Sequence, residues 1–215
     1  MTGRRILCFG DSNTHGTMAL RQLGERRRHD AATRWPEVMA AALGPDARVI
    51  DEGLPGRTTV HDDPIEGAHK NGLAVLPALL ESHRPLDLVL VMLGTNDLKH
   101  RFALTPWDVA AGVRRVGETI LSSGCGADGG APALLLVAPV PVEEAGLLAE
   151  MFTGGAAKSR ALARHVAQVA GDLGAGFFDA GSVARVDPAD GIHLDAAAHR
   201  ALGSAMAEAV ARTWD

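Results

Sequence analysis

Arg5-Ile6-Leu7-Cys8-Phe9-Gly10-Asp11-Ser12-Asn13, residues 5–13, is the stretch on which the fold turns. Ile6 to Phe9 is an unbroken apolar run without polar alternation, the pattern of a strand buried on both faces and therefore of a helix-covered parallel sheet. Gly10-Asp11-Ser12-Asn13 then breaks the run and turns strand into helix. Ligands of open α/β sheets bind at strand carboxyl ends, so a hydroxyl placed there beside free backbone N–H groups stands where a nucleophile would.

Working outward, the same alternation recurs along the chain. Strands are expected at Arg5 to Phe9, Arg48 to Asp51, Leu86 to Leu93, Ala133 to Ala138 and Gly176 to Asp179. Between them, Arg34 to Leu43, Gly72 to His83, Pro106 to Ser123 and Gly155 to Leu173 carry helical spacing of alanine and leucine. A last helix runs from about Ala196 to Trp214 behind Asp195 as N-cap, and Thr105-Pro106 opens the one before it. The class is α/β with five parallel strands. Residues 1–215 read as a single domain, since 215 residues suit one full core better than two. Trp35, Trp107 and Trp214 fall on helices, where core packing is expected.

Two segments break the alternation. Residues 17–33 are charged and irregular, and Arg26-Arg27-Arg28-His29 within them reads as a solvated surface loop. Residues 139–153 begin Pro139-Val140-Pro141; there Leu147, Leu148, Met151 and Phe152 have three readings: a cover over the site, an interface, or packing on the chain's own core.

The totals exclude several functions. With 21 basic against 26 acidic residues the formal charge is -5, so no global basic field recruits nucleic acid or an anionic membrane surface. No stretch approaches the ~20 apolar residues of a membrane span, and the run from Ile6 to Gly10 is too short for a signal-peptide core. Cys8 and Cys125 are the only cysteines, which fits free thiols in a reducing cytoplasm. His61-Asp62-Asp63 and His69 match no compact ligand spacing, and no P-loop or Gly-x-Gly-x-x-Gly follows a strand, so neither a metal nor a nucleotide cofactor is expected.

A serine nucleophile needs a base, and Asp190-Gly191-Ile192-His193 supplies an imidazole with an acid three residues before it. His193 would take the Ser12 proton, and Asp190 would fix its tautomer. His15, close to Ser12, and His199 are competing bases, but neither has an acid at that spacing; His15 reads as a pocket residue and His199 as a helix-surface one. A tetrahedral intermediate needs donors, and the Ser12 N–H, a backbone N–H near Gly56 and the Asn96 side chain each follow an expected strand. Gly53 and Gly56 suit a turn that approaches substrate.

Phe9-Gly10-Asp11-Ser12, Pro55-Gly56-Arg57-Thr58, Leu93-Gly94-Thr95-Asn96-Asp97 and Asp190-Gly191-Ile192-His193 together resemble the four blocks of the SGNH hydrolases, the GDSL-type esterases and lipases, in family order. Glu52-Gly53-Leu54 and Phe177-Phe178-Asp179-Ala180-Gly181-Ser182 bring the resemblance nearer to the bacterial aryl esterase and acyltransferase branch. The resemblance implies a three-layer α/β/α flavodoxin-like fold, hydrolysis of short-chain or aryl esters with acyl transfer to water or an alcohol acceptor, and homo-oligomers up to an octamer. It implies Ser12, Asp190 and His193 as triad and Ser12, Gly56 and Asn96 as oxyanion hole. Asp11, Asn13, His15, Leu54 and Leu194, flanking these blocks, are the expected substrate-pocket residues. Asn13 stands where the family motif has leucine, and no aromatic follows in Thr14-His15-Gly16-Thr17. A carbohydrate acetyl esterase or thioesterase would use the same triad, and a non-catalytic flavodoxin-like module would bind an anion or nucleotide at the same strand ends.

Overall fold

The computed structural model describes residues 3–213. Five strands, β1 (Arg4–Gly10), β2 (Ala47–Gly53), β3 (Leu88–Met92), β4 (Ala133–Ala138) and β5 (Gly176–Asp179), form one parallel sheet in the order β2-β1-β3-β4-β5. This is the doubly wound flavodoxin-like order, which reverses at β1 and opens a crevice between the ends of β1 and β3. β1 pairs with both neighbours, so Gly10 aligns with Gly53 on one side and Met92 on the other. β2 is an edge strand; its exposed Arg48 and half-buried Asp51 and Glu52 follow from having one partner only.

The helices are α1 (Ser12–His15), α2 (Trp35–Leu43), α3 (Gly72–His83), α4 (Pro106–Leu121), α5 (Gly155–Leu173) and α6 (Ala196–Arg212). Strand side chains alternate between faces, and the core divides accordingly. Leu7 and Phe9 of β1 join Leu76, Val113 and Val166 of α3, α4 and α5, while Ile6 and Cys8 join Trp35, Met39, Leu202 and Met206 of α2 and α6. The result is three layers. Among the described residues no helix is long and apolar enough to cross a membrane.

α4 carries a complete capping box between Thr105 and Asp108, and Asp195 caps α6 by accepting the Ala198 N–H at 2.7 Å. Three expectations are corrected. Leu86 and Leu93 are buried but lie outside β3. Ser122 and Ser123 lie past α4, their hydroxyls donating back to Glu118 O and Ile120 O. Trp107 is 66% exposed, because two residues before Val109 is a rotation of about 200° away from the buried stripe Val109, Val113, Val116 and Ile120. Trp214 lies outside the described residues, and α6 ends at Arg212.

Candidate active site

The site forms where β1, β2 and β3 end. After Gly10 the chain enters α1 with Asp11 as N-cap, its Oδ1 accepting the Asn13 N–H at 2.9 Å. Burial lifts the Asp11 carboxyl to about 6 despite that bond and the nearby His193. Ser12 therefore sits in the first turn, where its N–H has no carbonyl four residues back to accept it. α1 lies directly on the end of β2: a Cβ at Gly53 would overlap the His15 backbone nitrogen. Glycine at 53 thus admits a helix rather than a substrate.

Leu54-Pro55-Gly56-Arg57 is a type II turn. Proline presets its first corner, Gly56 takes the second with φ +82°, and the Arg57 N–H donates to Leu54 O at 3.0 Å. The Gly56 N–H has no acceptor among the described residues. Arg57, itself buried, turns beneath the sheet ends, donating to Gly10 O at 2.8 Å and to Glu52 O while its guanidinium lies 4.3 Å above the Phe9 ring. Beyond β3, Asn96 donates one side-chain N–H to Arg57 O at 3.0 Å, which leaves the other N–H of its amide free of that bond. Asp97 beside it is spent on structure, accepting the Thr59 N–H with both oxygens at 3.1 and 3.0 Å.

The fourth component comes from the loop before α6. Asp190 is fully buried and accepts four hydrogen bonds: from the Ile192 and His193 N–H groups on Oδ1, both 3.0 Å, and from His193 Nδ1 at 2.6 Å and the Leu20 N–H at 2.8 Å on Oδ2. Burial alone would raise its carboxyl; the His193 ring and these N–H groups override burial and hold it at about 2. An ionised acid thus faces Nδ1, so a neutral His193 carries its proton there and turns Nε2 into the acceptor. The Ser12 hydroxyl is not hydrogen-bonded to the imidazole among the described residues, and such bonds are often long before substrate binds. Both side chains line one cavity of about 930 Å³, together with Gly56 and Asn96.

A model of the GDSL-like lipase/acylhydrolase family matches residues 8–201, which include all of these positions. The chain belongs to that family. It lies in the aryl esterase branch: the native aryl esterase of M. smegmatis superposes with a TM-score of 0.93 at 42% identity, over 98% of this chain and 99% of that one. Est24, a carbohydrate acetylesterase from Sinorhizobium meliloti, gives a TM-score of 0.93 at 40% identity over the same shares. An arylesterase of Vibrio mimicus is 44% identical over 66 residues, 29% of this chain and 28% of that relative's length. Membership places the chain among carboxylic ester hydrolases.

The walls of this cavity differ from the expected substrate-pocket residues. Of the expected pocket residues only His15 lines it, hydrogen-bonded through Nδ1 to Thr17 Oγ1 at 3.0 Å and held near pKa 4 by burial and by Arg28 and Arg34. Asp11 and Leu194 are buried away from the cavity and Leu54 is absent from its wall. Asn13 is a clasp: its Nδ2 donates to Ile192 O and its Oδ1 accepts the Leu194 N–H, each at 3.1 Å, so one side chain grips both neighbours of His193. His199 is fully buried rather than on a helix surface, with its Nδ1 accepting the Trp35 N–H at 3.4 Å and its ring edge-on to His29.

Both irregular segments also belong to the cavity. Arg26, Arg27 and Arg28 line it; Arg27 pairs with Glu25, and Arg28 bonds His15 O at 2.6 Å and Asp51 at 2.9 Å. Leu148, Met151 and Phe152 form an apolar wall while Leu148 and Phe152 also pack in the core, and Leu147 is 42% exposed. Lys99, nearly buried, reaches Asp63 at 3.3 Å and Glu66, and Arg101 reaches Asp63 at 3.0 Å. Asp63 is therefore occupied by cations. The grip of Leu20 on Asp190 and the two-sided bond of Asn13 had no sequence signal, because each joins residues about 170 or more positions apart through backbone atoms.

Proposed function

We propose that this chain is a serine esterase acting on aryl and short-chain carboxylic esters through an acyl-enzyme. The observation that carries the reading is the convergence on one cavity of Ser12, Gly56, Asn96 and a His193 backed at 2.6 Å by an ionised Asp190. His193 Nε2 accepts the Ser12 proton as Oγ attacks the ester carbonyl. The oxyanion takes hydrogen bonds from the N–H groups of Ser12 and Gly56 and from Asn96, and the imidazolium, stabilised by Asp190, protonates the departing alcohol. Water then attacks the acyl-enzyme with His193 as base. An alcohol in its place gives acyl transfer, and the apolar wall of Leu148, Met151 and Phe152 favours binding such an acceptor.

A serine-directed fluorophosphonate should label Ser12, and Ser12→Ala should lose the label and at least a thousandfold in kcat toward an aryl acetate. A wild-type protein that neither labels nor turns over would indicate a binding module instead. A second reading, deacetylation of carbohydrates, is favoured by the 40% identity to the Sinorhizobium meliloti acetylesterase and by the charged wall of residues 25–28. Acetylated sugars assayed beside aryl esters of increasing acyl length, with and without added alcohol, decide between them and measure transfer. Leu23, Ile65 and Trp107 expose apolar side chains suited to contact between copies, and light scattering gives the subunit number.

A further inference from the structure

Lys70 lines the catalytic cavity, is half-buried, and has no carboxylate partner among the described residues. The acid closest along the chain, Glu66, is taken by Lys99. The Lys70 ammonium instead donates to Pro55 O at 2.8 Å, and its own backbone is fixed alongside, Lys70 O accepting the Thr58 N–H at 3.0 Å. Pro55 O belongs to the same peptide group as the Gly56 N–H. That peptide is trans, so its carbonyl and N–H point in opposite directions, and an ammonium on the oxygen leaves the N–H aimed away from it.

We propose that Lys70 is a positioning residue for the oxyanion hole, acting through the Pro55–Gly56 peptide; the inference rests on the esterase reading above. A cation on a peptide oxygen draws electron density from the nitrogen and makes the N–H a stronger donor, the polarisation that runs along hydrogen-bond chains. It also locks the plane of a turn whose second corner is a glycine, the residue with the most freedom to rotate. Both effects act where the intermediate's charge develops, and neither needs Lys70 to touch substrate.

The test compares Lys70→Met, Lys70→Gln and Lys70→Arg on a neutral aryl acetate, with folding checked by thermal melts. Losing a whole oxyanion donor costs 10²–10³ in kcat, so weakening one should cost roughly tenfold. Lys70→Met and Lys70→Gln should lose about that factor in kcat with KM unchanged, and Lys70→Arg should recover most of it. Affinity for an oxyanion-mimicking trifluoromethyl ketone should fall in parallel. Unchanged kcat in both neutral variants, or a rise in KM alone, overturns the inference while leaving the esterase reading intact. An inactive wild type, or a Ser12→Ala protein that retains turnover, removes that reading and this inference with it.

Discussion

Replacing Asn13 by leucine, the residue the family motif carries there, should damage this protein, and the loss can be worked from two hydrogen bonds. Asn13 is 3% exposed, and its amide satisfies Ile192 O and Leu194 N–H, neither of which has another partner among the described residues. An apolar side chain of similar volume keeps both groups buried and leaves both unpaired. Each orphaned backbone group costs about 1–3 kcal/mol, so the variant should lose roughly 2–4 kcal/mol once some relaxation toward water is allowed. For a chain of this length that lowers the melting midpoint by about 4–16 °C. The same two groups bracket His193, so slack there should also misplace Nε2, and kcat should fall at least about tenfold with a smaller change in KM. Asn13→Asp should keep the Leu194 bond, turn the other into an oxygen facing an oxygen, and lose comparable stability at neutral pH. Melts and steady-state kinetics on the purified proteins suffice. If Asn13→Leu melts with the wild type and turns over normally, the clasp is not what holds the histidine.

His199 is buried, and burial, followed by the nearby His29, lowers its pKa to about 3. Its unfolded form titrates near 6.5, so its contribution to stability is complete above that pH and is lost progressively as pH falls from about 6.5 towards 3, at no more than about 1.4 kcal/mol per pH unit. His199→Gln should flatten the fall of the urea midpoint with acidification over that window, and parallel profiles for the two proteins would exclude the role. Gly191, two residues before His193, has φ +74°, and a Cβ there would overlap Glu143 O. Gly191→Ala should therefore cost about 2–4 kcal/mol and reduce kcat at the same time, readable from a melt and one progress curve.

The layered fold was legible because each local signal agreed with its neighbours. Ile6 to Phe9 and Ala133 to Ala138 carry the continuous apolarity of strands buried on both faces. α3 and α5 follow the expected bounds of Gly72 to His83 and Gly155 to Leu173. Gly56 was legible as a turn because Pro-Gly fixes two dihedrals by itself. What stayed hidden depends on which loop lies over which. Nothing local in Arg26-Arg27-Arg28 distinguishes a solvated loop from a cavity wall; that depends on Arg28 reaching His15 O and Asp51 across the top of the sheet. His199 reads from the sequence as a helix-surface residue, yet it is buried among Trp35 and His29. Trp107 failed in the opposite sense, since aromatic character says nothing about helical phase. Asn13 was read as a pocket residue from its adjacency to Ser12, whereas a residue's helix neighbour on the chain points about 100° away from it.

The bond from the Leu20 N–H to Asp190 sets a constraint on how this enzyme can diversify. Residues 17–33 supply a wall of the cavity, the surface on which changes of substrate would ordinarily be made, and the same segment holds Asp190, the acid that orients the base in the proposed mechanism. Recognition and proton transfer are thus carried on one piece of backbone. Library selection confined to residues 20–28 should return altered specificity mostly together with lowered turnover. Met151, half-buried on the opposite irregular segment, takes no part in that bond and is the freer position for a new ester, whereas Leu148 and Phe152 are also core residues.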